Sequence, residues 1–166
     1  MSEGGLKDGV AAIALSLTGW DVASWLRRLR QAAPDREVIA LGSPDVPLPP
    51  RYYLLCWRPP REVLHRTPKP MLILSAGAGV DHILKHEPPQ EVPMTRIVDP
   101  DLTGRMVEFV VLHCLYHLRR MNEAAENQRR ELWTAPVFPP ARNVTVGLMG
   151  VGEMGRACAE GLMALG

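Results

Sequence analysis

A glycine pattern near the end of the chain has the spacing of a dinucleotide-binding turn. Residues 144–149 are an apolar run typical of a short strand, and Gly150, Gly152 and Gly155 follow it before a helical pattern. In such a turn the first glycine permits the tight bend, the second lets the backbone approach a pyrophosphate, and the third lets the helix pack closely. Free N–H groups at the helix N-terminus would receive the anion. The alternative is a turn that serves helix packing alone.

Histidines and cysteines indicate no second site of comparable specificity. His113 and His117 lie four residues apart on one predicted helix face, a spacing that can chelate a metal, but the glutamate of His-Glu-x-x-His and a third ligand are missing. We therefore expect a buried or interface helix face there, with no metal. Cys114 is expected to be an inert thiol. The remaining histidines are scattered and predicted to lie at the surface: His65, His82 and His86.

The composition predicts a globular chain without a strongly charged partner. Of the 166 residues, 46% are hydrophobic and 22% are charged, and the formal net charge is +1. Such a balance gives no general attraction to nucleic acid or to an anionic membrane. The polar N-terminus has no signal-peptide pattern, and no apolar run approaches the ~20 residues of a membrane span. Three dispersed cysteines favour a reducing compartment, so a cytoplasmic protein is predicted.

Strand and helix patterns alternate through the first hundred residues. Residues 1–9 are expected to be a disordered lead. Strands are predicted at 10–17, 35–41, 52–57, 71–75 and 92–98. Helices are predicted at 22–33, where Asp21 is a candidate cap, and at 61–66 and 80–85. The proline-rich segment 43–50 is predicted to be a loop. This alternation indicates βαβ units and a parallel sheet.

Beyond residue 100 the pattern changes. A long helix is predicted from Asp99-Pro100-Asp101, and because it is apolar on most sides we expect it to lie between layers or at an interface between domains or subunits. A polar, solvated extension follows at 119–131, and then a proline-containing arm at 133–142. The final helix is predicted to have one apolar face, formed by Met154, Ala157, Cys158, Gly161, Leu162 and Leu165.

Six motifs in a fixed order resemble the D-isomer-specific 2-hydroxyacid dehydrogenases, and within them the glyoxylate/hydroxypyruvate reductase A branch. The motifs are CWRPP (56–60), SAGAGVDH (75–82), VDPDL (98–102), MVEFV (106–110), RR (119–120) and GVGEMG (150–155). The resemblance extends over residues 10–166. It implies a flavodoxin-like, parallel α/β substrate domain over residues 10–100. Residues 101–166 would be the first helix, the arm and the first βα unit of a Rossmann coenzyme domain, with the active site in the cleft between the domains.

The resemblance also implies a substrate site. The backbone N–H groups of Ala78 and Gly79 match those that bind the substrate carboxylate in this family. The chemistry agrees, because a short turn without bulky side chains exposes N–H donors as an anion-binding nest. Trp57 and Arg58 follow the third predicted strand at a comparable edge and are predicted to border the same pocket. A plain strand–helix connection and a packed tryptophan are the alternatives.

The cofactor implied by the resemblance is NAD(P)H, with NADPH favoured by the branch. Glu153 and Met154 match turn residues whose backbone meets the pyrophosphate, and Met106 matches a position close to the nicotinamide. The full set of predicted cofactor-binding residues is Gly150, Gly152, Glu153, Met154, Gly155 and Met106.

The implied activity is reduction of a small 2-oxo acid, such as glyoxylate or hydroxypyruvate, to the 2-hydroxy acid. The family's catalytic arginine, glutamate and histidine lie beyond its glycine fingerprint. We therefore expect no catalytic residue before Gly166, and a truncated chain without reductase activity. The alternative is a non-catalytic module that forms a homodimer through the helix and arm at 101–140. A third interpretation, another nucleotide-dependent α/β enzyme such as a methyltransferase, is disfavoured by the motif order at 75–110.

Overall fold

A computed structural model describes residues 10–43 and 45–166. The expected disordered lead, residues 1–9, lies outside the described residues, as does Pro44 of the predicted loop. The chain divides into two compact units. The first ends at Val98, and the second comprises Asp99–Gly166.

The first unit is built on a five-stranded parallel sheet with the order β2-β1-β3-β4-β5. The strands are β1 (Ala12–Leu17), β2 (Val38–Ala40), β3 (Tyr52–Trp57), β4 (Leu72–Ser75) and β5 (Met94–Arg96). In the register of β1 with β3, Leu17 lies beside Trp57. The predicted α/β class with a parallel sheet is confirmed. The edge strands β2 and β5 are shorter than predicted, because each has a pairing partner on one side only.

Both faces of this sheet are covered, as expected when strands are apolar on both sides. The helices are α1 (Val22–Ala32), α2 (Arg61–Leu64) and α3 (Asp81–Leu84). Asp21 caps α1 by accepting a hydrogen bond from the backbone N–H of Ser24 at 3.2 Å. On one face, side chains of α1 pack with Leu15 and Leu55. On the other, Ile83 of α3 joins the core formed with Leu54.

The second unit consists of helices and irregular segments. Its helices are α4 (Pro100–Leu118), α5 (Met121–Arg129) and α6 (Glu153–Met163). Asp99 caps α4 by accepting a hydrogen bond from the N–H of Asp101 at 3.0 Å. Arg120 adopts a left-handed conformation with φ of 47°, which separates α5 from α4. Helices α4 and α6 pack closely, since a Cβ placed on Gly161 would lie 2.6 Å from Val107.

Two local predictions for this unit are wrong. Residues 144–149, predicted as a strand, have no strand pairing, because the described residues of this unit provide no neighbouring strand to share hydrogen bonds. Helix α4 has no buried residue among the described residues, since only one of its sides packs against α6, so burial between layers of this chain is wrong, whereas the predicted place at an interface between domains or subunits stays a prediction. Leu165, which was predicted on the apolar face of the final helix, lies after the last residue of α6 and is 39% exposed. No described helix is long and apolar enough to cross a membrane.

Candidate functional site

The turn that follows β4 is held in place by hydrogen bonds of Ser75. This serine is fully buried. Its hydroxyl donates to the carbonyl oxygen of Gly79 at 2.8 Å and accepts from the N–H of Gly77 at 3.3 Å. The N–H of Ala76 donates to the carbonyl of Cys56 on β3 at 2.9 Å. The turn therefore has a defined conformation that is set by a side chain and by the sheet.

The same turn leaves two backbone donors free. Within the described residues, no hydrogen bond uses the N–H of Ala78 or that of Gly79. Ala78 is half-buried and Gly79 is exposed. Successive N–H groups in a tight turn create a concave region of positive potential that suits an anion. The turn is thus able to bind a carboxylate through its backbone.

Trp57, the last residue of β3, covers this turn. A Cβ placed on Gly77 would lie 2.2 Å from the Cζ3 atom of the indole, so the ring rests directly on the backbone there. The ring centroid of Trp57 is 5.5 Å from that of Trp20 and 4.5 Å from that of His82. Distances of this kind are typical of favourable aromatic pairs. Trp57 is therefore both a packed aromatic residue and a wall of the turn.

Arg58 places a positive charge at the same edge of the sheet. Its guanidinium carbon lies 5.7 Å from the centre of the Trp57 ring, an arrangement that permits a cation–π interaction. Its backbone is left-handed, with φ of 46°, and its carbonyl accepts a hydrogen bond from the hydroxyl of Thr18 at 2.9 Å. No carboxylate of the described residues forms an ion pair with Arg58. The guanidinium can therefore attract an anionic ligand.

The prediction of a surface position for His82 is wrong. The residue is half-buried, and its Nε2 atom is buried without a hydrogen-bond partner among the described residues. Burial lowers the pKa of His82, and the nearby charge of Arg58 lowers it further. Sequence reasoning also missed Ser75, which it named only as part of a motif. A buried serine directly before a glycine turn is a signal that could have been used.

The glycines of the 150–155 turn have distinct geometric roles. Gly150 has φ of 96°, a conformation that favours glycine. A Cβ on Gly155 would lie 2.1 Å from the carbonyl oxygen of Gly150, so α6 can begin close to the turn only with glycine there. Around Gly152, which precedes α6, a Cβ would meet nothing within 4 Å, and no side chain caps the helix. The open space and the uncapped N–H groups fit a phosphate.

The other predicted cofactor residues lie on two helices of the second unit. Glu153 and Met154 are the first two residues of α6, with Glu153 exposed and Met154 half-buried. Met106 lies in the second turn of α4 and is 37% exposed. The turn residues thus lie together in sequence and in space, whereas Met106 belongs to a different element.

The histidine pair and the cysteines form no further cluster. The described residues contain no group of three side chains that could hold a metal ion. His113 contacts the carbonyl of Phe109 through Nδ1 at 2.8 Å, a local contact within α4. Cys56 is fully buried in the sheet, and burial raises the pKa of its thiol to about 12. That thiol is consequently protonated and unreactive at neutral pH.

Solved structures with this fold are 2-hydroxyacid dehydrogenases. A probable 2-hydroxyacid dehydrogenase from Rhizobium etli, in complex with NADP, HEPES and L(+)-tartaric acid, is 36% identical, with a TM-score of 0.83 over 95% of this chain and 50% of that one. An NADPH-dependent glyoxylate/hydroxypyruvate reductase from Sinorhizobium meliloti, in complex with NADP and sulfate, is 33% identical, with a TM-score of 0.82. The fold of this chain is therefore that of about half of a protein of this class.

Curated relatives point to a particular branch of the class. The glyoxylate/hydroxypyruvate reductase A of Serratia proteamaculans is 32% identical over 154 residues, which are 89% of this chain and 48% of the relative. The chain spans about half the length of the curated relatives it matches. No protein-family model matches the chain. The resemblance to the D-isomer-specific 2-hydroxyacid dehydrogenases that the motifs predict is confirmed.

Proposed function

We propose that this chain contributes the substrate-carboxylate site and part of the cofactor site of an NADPH-dependent reductase of small 2-oxo acids. In this proposal residues 10–100 form the substrate domain, and residues 101–166 begin the coenzyme domain of a cytoplasmic enzyme. Glyoxylate and hydroxypyruvate are the proposed substrates, since relatives in the same branch carry those names.

One observation carries the proposal for the substrate site. The N–H groups of Ala78 and Gly79 have no hydrogen-bond partner among residues 10–43 and 45–166, in a turn that Ser75 holds in place. A backbone held in this way loses little conformational freedom when its N–H groups donate hydrogen bonds to a carboxylate. More of the interaction energy therefore appears as affinity. Arg58 adds a cation beside the turn, and the Trp57 ring limits the space available to the acid.

The cofactor proposal rests on the 150–155 turn. When bound, NADPH would supply the hydride for the reduction. The protein's part is to hold the pyrophosphate on the backbone around Gly152 and at the N-terminus of α6, where N–H groups and the helix dipole favour negative charge. Gly150 and Gly155 allow the approach of backbone and helix that creates this space. Glu153, Met154 and Met106 complete the proposed cofactor-binding residues.

Calorimetric titration of glyoxylate into the protein tests the substrate site. Wild-type protein should bind the acid, and Ser75→Ala should weaken binding by about tenfold, because the turn loses both of its side-chain hydrogen bonds. Arg58→Gln should weaken binding and reduce its sensitivity to salt. Arg61→Gln is the matched control, since Arg61 is exposed and pairs with Glu87. Equal affinity in all four proteins would contradict the proposal.

A second candidate function is a non-catalytic dimerisation module. The observation that favours it is the apolar face of α4, where Phe109 is 56% exposed and Leu112 is 60% exposed. Exposed apolar patches of this kind often mark protein interfaces. In this proposal the helix and arm at 101–140 form a homodimer. A protein that dimerises but binds neither glyoxylate nor NADPH would support this candidate over the first.

A further inference from the structure

The indole of Trp57 is confined by three neighbours. Trp20 lies 5.5 Å from it and His82 lies 4.5 Å from it, measured between ring centroids. The third neighbour is the backbone of Gly77, which the ring approaches so closely that a Cβ would collide. Since packed side chains have few voids to move into, the half-buried ring cannot move toward any of the three without displacing it. The position of Trp57 is thereby linked to the conformation of the 76–79 turn.

His82 differs from the other two neighbours in having a polar atom buried without a partner. Its Nε2 makes no hydrogen bond to the described residues. Buried polar atoms are nearly always hydrogen-bonded, so an exception calls for an explanation. A neutral imidazole can pack on the indole as an aromatic ring. An imidazolium carries an N–H on both nitrogens, and the N–H at Nε2 would have no acceptor among the described residues. Its charge would also be poorly solvated in this position.

The charged groups that act on His82 are Arg58 at the end of β3, and Asp81 and Lys85 beside it on and after α3. Arg58 and Lys85 disfavour protonation of the imidazole, and Asp81 favours it. Burial is the largest effect and lowers the pKa below the usual value of 6.5. At neutral pH the ring is therefore neutral and suited to packing.

We propose that His82 is a positioning residue for the carboxylate turn. Its neutral ring holds Trp57 against Gly77, and this fixes the backbone that presents the N–H groups of Ala78 and Gly79. The inference rests on the proposed function, because it takes this turn as the binding site of the acid. His82 itself need not touch the acid.

Acid titration separates positioning from direct contact. In the folded protein the neutral form of His82 is favoured over the protonated form. The packing of His82 on Trp57 is therefore fully present above the usual pKa of 6.5, and it is lost as the pH falls through the lower pKa that His82 has in the folded state. Positioning by His82 thus predicts weaker binding of the acid at low pH. A direct ion pair between an imidazolium and the carboxylate predicts the opposite, tighter binding at low pH.

The test is calorimetric binding of glyoxylate at two pH values, one at about pH 7.5 and one below the lowered pKa of His82. At the higher pH His82→Ala should bind about tenfold more weakly, because Trp57 loses a stacking partner. His82→Phe keeps an aromatic ring without a titrating group, so at both pH values its affinity should stay within about twofold of the wild-type affinity at the higher pH. His65→Phe, at an exposed histidine, is the control and should retain the wild-type loss of affinity at low pH.

The possible outcomes are distinguishable. Tighter binding at low pH in the wild type, or unchanged affinity in His82→Ala at the higher pH, would overturn this inference alone. Equal pH dependence in wild type and His82→Phe would do the same. If wild-type protein bound no glyoxylate at either pH, the proposed site would be overturned, and the packing of Trp57 by His82 would be tested by itself. Near-UV circular dichroism of the tryptophans, followed against pH, would then show whether His82 controls the Trp57 packing.

Discussion

At the scale of single residues, the indole of Trp57 packs directly on Gly77 in the turn proposed to bind the carboxylate. The indole fills the space that any side chain at Gly77 would need, and it is itself confined by Trp20 and His82. A tryptophan and a glycine separated by 20 residues in sequence thus behave as one packed unit. Sequence reasoning placed both near the edge of the sheet, but it could not predict their contact, because side-chain packing between distant residues depends on the strand register.

Gly77→Ala tests this contact. The new Cβ would overlap the indole ring, and relief would require Trp57 to leave its neighbours. We expect a loss of about 1–3 kcal/mol in the free energy of unfolding, the usual cost of overpacking. Urea unfolding followed by tryptophan fluorescence measures it. Gly42→Ala is the matched control, since a Cβ there meets nothing within 4 Å. Equal free energies of unfolding of the two variants would show that Trp57 can move away from Gly77 without loss of stability, which would contradict a tightly packed contact.

At the scale of elements, local signals explain which predictions succeeded. Strand β3 has its predicted bounds, because a continuous apolar run is enclosed by arginine and proline residues. Helix α4 begins at Pro100, within the predicted Asp99-Pro100-Asp101 segment, for an equally local reason. The strand that was wrongly predicted at 144–149 depends on a pairing partner, and pairing is not encoded in the segment itself. The same limit applies to burial of α4, which depends on what packs against it.

The start of α6 provides a second test at this scale. Gly155→Ala would place a Cβ 2.1 Å from a backbone oxygen of Gly150, which cannot move aside as a side chain can. We expect faster amide hydrogen exchange throughout α6, because the helix must shift away from the turn. Gly152→Ala has open space around its Cβ and should leave exchange nearly unchanged while weakening NADPH binding. The reverse pattern would contradict the roles assigned to these two glycines.

Helix α4 yields a prediction about association. Its exposed face contains Phe109, Leu112 and Tyr116, at helical spacing on one side. We expect the protein to self-associate at tens of micromolar in analytical ultracentrifugation. Leu112→Glu should raise the dissociation constant by at least about tenfold, since it places a charge in an apolar contact. Glu160→Gln, an exposed change on α6, is the control. A wild-type monomer throughout this range would argue against the dimer.

At the scale of the whole molecule, the two units have separate proposed roles. The first presents the proposed carboxylate site on a parallel sheet, and the second presents the turn proposed to bind a pyrophosphate. The sequence predicted the class of fold and both turns, because glycine spacing and strand alternation are local patterns. It did not predict how Ser75 and His82 support the first turn, because both act through contacts that form only in the folded sheet.

The chain spans about half the length of its curated relatives, and this leads to a prediction about turnover. The catalytic arginine, glutamate and histidine of the resembled family match no motif position within residues 1–166. A protein that consists of residues 1–166 should therefore bind glyoxylate without reducing it. Oxidation of NADPH in the presence of glyoxylate, followed by absorbance, should equal the rate without protein. A rate clearly above that background would contradict the expectation.

The most direct test of the central claim is an NMR titration of the 15N-labelled protein with glyoxylate. If the turn after β4 binds the carboxylate through its backbone, the amide protons of Ala78 and Gly79 should move downfield together, as hydrogen-bonded amides do, and saturate with one dissociation constant. The amides of Gly19 and Gly42, in other loops of the same unit, should not move. Unchanged Ala78 and Gly79 signals at saturating glyoxylate would contradict the account.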